Sequence, residues 1–136
     1  MPVATSTELL SLTLVALFTG LMWVPIIVNR LLEMGLWPAL RNPQPDTRAH
    51  ADWAWRLSNA HRNAFENLAV FAPLALSVHV LGLGDDLTAQ WSVIFVAARV
   101  AHALIYTLGI PLLRTLAFLA GFFAQMVLGA RLLGWG

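Results

Sequence analysis

Between Leu9 and Val28 the chain runs for twenty residues without a charged side chain. A helix of that length, rising about 1.5 Å per residue, covers the roughly 30 Å hydrocarbon core of a bilayer. In hydrocarbon a single segment satisfies all its backbone amides and carbonyls only as a helix, so this run limits the fold more than any other stretch. It is too long for the apolar part of a signal peptide, and no basic residue precedes it. Pro25 is expected to kink it near one end, and Asn29 with Arg30 marks its exit from the apolar zone. The rest of the chain matches: 59% of residues are hydrophobic and 11% charged, against about 25% charged in a soluble domain. An integral membrane protein of one domain is expected.

Further apolar runs place helices at roughly 7–30, 52–81, 87–108 and 112–133, an all-α integral membrane four-helix bundle. From Glu33 to Asp52 the prolines Pro38, Pro43 and Pro45 exclude a continuous helix and predict a surface loop. Asp46 or Thr47 is expected to cap the second helix, with Trp53 and Trp55 at headgroup level. Gly82 to Asp86 ends that helix, and Gly109-Ile110-Pro111 turns the third into the fourth. No internal repeat, linker or low-complexity segment interrupts the series.

The first connection, counted from Arg30 to Arg56 with both included, carries four arginines, and Arg114 follows the third connection, whereas the second connection carries only Asp85 and Asp86. The positive-inside rule therefore assigns the first and third connections to the cytoplasm and both termini to the outside; Arg131 alone opposes this. A net charge of +1, from scattered arginines with no lysine, excludes a nucleic-acid partner. Abundant Ala, Leu and Arg without lysine suggest a bacterial inner membrane. With no cysteine, any thiol chemistry must use a substrate thiol.

The polar residues within the runs are the candidate site. Arg56, Asn59, Asn63 and Glu66 recur at i, i+3, i+7 and i+10 on one helical stripe, with Arg62 one position aside. A charge at membrane depth costs roughly 3 kcal/mol or more against lipid, so the stripe must face protein or a wet cavity. Arg99, His102 and Tyr106 share a face of the third helix, Arg114 and Thr115 open the fourth, and Arg30 closes the first. All fall in the cytoplasmic half, with more cations than anions, which suggests a pocket for an anionic polar ligand. A plainer reading pairs Glu66 with Arg62 or Arg99 as structural glue. His50, His61 and His79 have the spacing of solvated or core residues, and no spacing suggests a metal site. Arg41, Arg48 and Arg131 read as topology determinants.

The segments RLSNAHRNAFENLAVF (56–71) and RVAHALIYTLGIPLLRT (99–115) resemble the MAPEG family, the membrane-associated proteins of eicosanoid and glutathione metabolism, and the resemblance covers nearly the whole chain. It implies a homotrimer with glutathione as co-substrate, bound between adjacent subunits near the cytoplasmic side. Carried over by motif, Arg62, Asn63 and Glu66 hold the glutathione backbone, carboxylates and amine. His102, Tyr106 and Arg99 line the site from the third helix, and Arg114 and Thr115 stand beside the thiol. Arg30, Arg56 and Asn59 complete the binding set, and Arg114, Thr115 and Tyr106 the catalytic one. Asn59 replaces a family arginine, and Asn67 and Phe118 replace tyrosines. The expected function is a glutathione-dependent transferase or peroxidase acting on a lipophilic electrophile or hydroperoxide that arrives from the membrane lipids. The alternative is a catalytically silent structural or lipid-binding subunit of a larger membrane assembly.

Overall fold

The computed structural model describes residues 4–44 and 51–136, and the described part is helical throughout. Helix α1 spans Thr7–Leu21, with Ser6 accepting from the Leu9 amide and Glu8 in the first turn, where the helix dipole favours an acid. It breaks at Met22, and α2 continues over Trp23–Met34. The expected kink at Pro25 is thus a break three residues earlier. The proline has no N–H for the Leu21 carbonyl, and its ring crowds that same carbonyl four residues back.

The first connection holds more structure than its prolines suggest. Gly35, at φ +82°, ends α2, and a short helix α3 follows at Leu36–Leu40. Pro38 is tolerated there because it falls in the first turn, where no intrahelical N–H bond is lost. The expected caps Asp46 and Thr47, with Arg48 and His50, lie outside the described residues. Helix α4, Asp52–Val80, instead starts from Ala51, whose N–H donates to Asn29 Oδ1 at 3.0 Å. Asn29 also donates to Glu33 Oε1 at 3.3 Å, so a buried amide in α2 fastens the start of α4.

Helix α5, Asp86–Leu108, opens with a capping box in which Asp85 and Thr88 satisfy each other's backbone amides. It closes on Gly109 at φ +79°, a left-handed cap that glycine adopts without strain. Pro111 then starts α6, Pro111–Leu132, at the position where its missing N–H costs nothing. Three helices are long and apolar enough to cross a membrane: Thr7–Met34, Asp86–Leu108 and Pro111–Leu132. Helix α4 is the longest at 29 residues, about 44 Å, and its polar first half sets it apart.

Helix α5 packs against α1, α4 and α6, and the core is threaded through that contact. Val15, Phe71, Ala75, Val78, Phe95, Ala124 and Leu128 form one buried cluster, centred on the Phe71 and Phe95 rings, stacked with centroids 3.9 Å apart. A second joins Met22, Ile26, Leu57, Ala60, Ala64 and Ala103. Large apolar side chains such as Leu17, Leu32, Leu104 and Leu116 point outward, as lipid contact requires.

Polar ties fix the two ends. At the end holding both termini, Glu8 is buried and accepts from the Thr88 hydroxyl, and His79 Nδ1 lies 2.9 Å from Ser6 Oγ. Arg131 Nε sits 3.3 Å from Asp85 Oδ2 and donates to the Leu83 carbonyl at 3.0 Å. Arg131 therefore has a local partner, which accounts for a basic side chain at the end that the arginine count assigns to the outside. At the opposite end Arg56 Nε donates to the Thr107 carbonyl at 2.8 Å.

The Thr88 amide, with a further contribution from Arg131, holds the Asp85 carboxyl below its usual value of 3.8. A depressed carboxylate pKa contributes stability above the unfolded-state value and loses it as pH falls through the folded one. Asp85→Ala, which removes cap and ion pair, is expected to lower Tm more than Asp85→Asn, which can still cap. The gap between wild type and Asp85→Asn should close below about pH 3.8, as read by thermal unfolding in detergent across pH.

Candidate functional site

One face of α5 carries Arg99, His102 and Tyr106 at i, i+3 and i+7, and α6 sets Arg114, Phe118 and Gly121 against it. The close packing of these two helices depends partly on Gly121. A Cβ there would stand 3.2 Å from Arg99 Nη2 and 3.3 Å from Nε, so the glycine makes the space that the guanidinium fills.

Arg99 is 1% exposed, the largest fully buried side chain among the described residues. Its Nη1 donates to Asn63 Oδ1 of α4 at 2.9 Å, while Nε and Nη2 have no partner. The Phe95 and Phe118 rings lie 5.8 and 5.7 Å from its Cζ, within cation–π range. The Glu66 carboxylate does not pair with it: Glu66 and Arg62 are both exposed on the outer side of α4, and the ion pair among the described residues is Asp85 with Arg131. The structural-glue reading of Glu66 is therefore not what this chain forms.

Towards the α5–α6 turn the face widens into a cup of about 220 Å³ lined by His102, Tyr106, Arg114, Thr115 and Phe118. His102 is buried, with its ring centroid 5.5 Å from that of Tyr106 and 6.5 Å from that of Phe118. Arg114 Cζ stands 4.6 Å over the Tyr106 ring, a stack that orients the guanidinium. Arg114 also lies in the first turns of α6, whose cap residue Ile110 makes no side-chain bond to the free amides. A cation beside the positive end of a helix is unfavourable by itself. Cation, dipole and open amides together favour an anion.

The structure brings together Asn63, Arg99, His102, Tyr106, Arg114 and Thr115 of the residues singled out from sequence. Arg62 and Glu66 face away from the cup within this chain, and Asn59 is half-buried on α4. Arg56 is engaged with the end of α5 at Thr107, and Arg30 stands on α2 with its Nε buried and unpartnered. Two features escaped the sequence reading. Gly121 was one glycine among nine, with nothing local to mark it. Gln125 donates to the Asn67 carbonyl at 3.1 Å and to its Oδ1 at 3.3 Å, a buried α6–α4 link signalled only by a lone glutamine in an apolar run.

Compared with known families, residues 9–134 match the model of the MAPEG family. No curated protein matches the chain.

A buried cation with one hydrogen bond is a liability to folding, so opposite outcomes are expected on either side of the Arg99–Asn63 bond. Arg99→Met should leave stability unchanged or raise it by about 1–4 kcal/mol, as when other buried ions are replaced by apolar side chains of similar size. Asn63→Leu removes the guanidinium's one hydrogen bond and should cost about 1.5–3 kcal/mol. Denaturation in mixed micelles checks both signs.

Proposed function

Because the chain belongs to the MAPEG family, we propose that it is a glutathione-dependent membrane transferase or peroxidase whose thiol site is the cup at the α5–α6 turn. The observation that carries this reading is Arg114: a cation stacked on Tyr106, without a carboxylate partner, beside Thr115 and at an uncapped helix start. Such a position costs folding free energy and gains it back when a thiolate and carboxylates arrive. A free thiol has a pKa near roughly 8.5, and one cation lowering it by about 2 units supplies on the order of 2.7 kcal/mol in favour of the thiolate. That thiolate attacks a lipophilic electrophile, or reduces a hydroperoxide, entering from the bilayer.

The exposure of Arg62 and Glu66 supports the rest of the proposal. They lie about 15 and 21 Å along α4 from its start, so with α4 as the fourth membrane helix they reach membrane depth. Against lipid each would cost roughly 3 kcal/mol or more. A homotrimer in which α4 of one subunit faces the cup of the next covers them and lets them grip glutathione between subunits. Arg30, Asn63, Arg99 and His102 complete the binding set, and Tyr106 and Thr115 orient the thiol beside Arg114. Asn59 contributes an amide where the family commonly has a guanidinium, a loss of about 1–3 kcal/mol if it is not compensated. The connections at this end, with their arginines, face the cytoplasm, and the membrane is a bacterial inner membrane.

Titration calorimetry of glutathione into the purified trimer tests the site. Saturable binding abolished by Arg62→Ala with Glu66→Ala is expected. No binding at several millimolar by a folded trimer would turn the reading to another thiol or to the silent structural subunit. Arg114→Gln should still bind glutathione but lose about 10²-fold in conjugation or peroxidase rate. Its acidic limb should move up from near pH 6.5 towards the free-thiol value of about 8.5; an unchanged pH profile would remove Arg114 from the chemistry.

A further inference from the structure

The face of α5 opposite the cup is also hollow. Ala103, Leu104, Thr107 and Leu108 border an apolar groove of about 360 Å³, closed on its other sides by Trp53 and Leu57 of α4 and by Phe18 to Pro25 around the α1–α2 break. At 100° per residue Leu104, Thr107 and Leu108 point away from His102 and Tyr106, while Ala103 lies between the two faces, where Tyr106 packs on the same cluster. A molecule seated in it is out of reach of Arg114.

A basic side chain stands beside the groove. Arg56, between Trp53 and Leu57 in sequence, reaches the end of α5, where its Nε donates to the Thr107 carbonyl and its Cζ lies 3.5 Å from where a Gly109 Cβ would stand. That is ordinary van der Waals contact, and it is the bond to Thr107 that fixes the guanidinium at the mouth of the groove. Its two terminal nitrogens keep their donors free of protein partners among the described residues. Trp53, 39% exposed on the groove wall, sets the mouth at interfacial depth, where indole rings settle.

We propose that this groove is a binding site for an anionic phospholipid, which lays one acyl chain between α1, α4 and α5 and places its phosphate on Arg56. The chain chemistry follows from the lining, which is apolar but for Thr107, and the size suits a hydrocarbon chain rather than a bulky polar ligand. The headgroup chemistry follows from an unpaired guanidinium that offers a phosphate two parallel donors. Basic residues at the cytoplasmic face between membrane helices select anionic headgroups in this way. The site is independent of whether the cup binds a thiol.

The absence of native cysteine makes the test direct. Leu104, 59% exposed on the groove wall, is replaced as Leu104→Cys in the full-length chain and labelled with an environment-sensitive fluorophore. The protein is reconstituted in phosphatidylcholine vesicles with a small fraction of phosphatidylglycerol carrying brominated acyl chains, which quench on contact. Enrichment of phosphatidylglycerol at the label by about fivefold over random mixing is expected for a single interfacial arginine. Arg56→Gln should return quenching to the random value, Arg56→Lys, which keeps the charge but loses the paired donors, should retain only part of it, and Arg114→Gln should leave it unchanged. If Arg56→Gln does not fold, added salt replaces it: raising the wild-type sample from about 0.05 M to 1 M should abolish the enrichment. Equal quenching by brominated phosphatidylcholine overturns the proposal. A label shielded from both lipids, as when a second copy or the lipophilic co-substrate fills the groove, overturns it as well.

Discussion

Where α4, α5 and α6 meet, one buried charge is only partly satisfied, the guanidinium of Arg99. One hydrogen bond to Asn63 and two aromatic faces hold it, and two of its nitrogens go unbonded. Nothing in the packing requires an ion there, since the neighbouring Phe71–Phe95 stack fills the same interface with hydrocarbon. Its presence dictates Gly121 on α6, orients Asn63 on α4, and biases the nearby cup towards anions.

The helices were legible because lipid enforces them. Runs such as Leu9 to Val28 have one low-energy form in hydrocarbon, so apolar length alone announces them. The polar stripe on α4 and the 99–102–106 face of α5 were legible for the same reason, polar residues at membrane depth being conspicuous. Partnership was not legible. Periodicity put Glu66 beside the arginines, yet it cannot show that Asn63 rather than Glu66 turns inward, because the two differ by less than a turn in angle. The Met22 break was displaced from its cause, as Pro25 acts on a carbonyl four residues earlier. The burial of Glu8 was hidden by its place just before an apolar run, where a helix-starting acid ordinarily meets water.

The two faces of α5 divide the molecule's chemistry. Towards α6 it presents cations and aromatic rings around a small polar cup; towards α1 and α4 it presents small and apolar residues around a groove. Membership of the MAPEG family bears on the first face, from which Arg62 and Glu66 stand apart, exposed on α4. The lining of the second face comes from this chain alone.

The break at Met22 also has a mechanical side. Beyond it, α2 packs on α1, α3 and α4, and the Asn29 bond to the Ala51 amide clamps it to the start of α4. Arg30 is therefore held in register with α4, and the Arg56–Thr107, Asn63–Arg99 and Gln125–Asn67 bonds tie α4 in turn to the α5–α6 hairpin, so the three elements position Arg30 relative to the cup as one body.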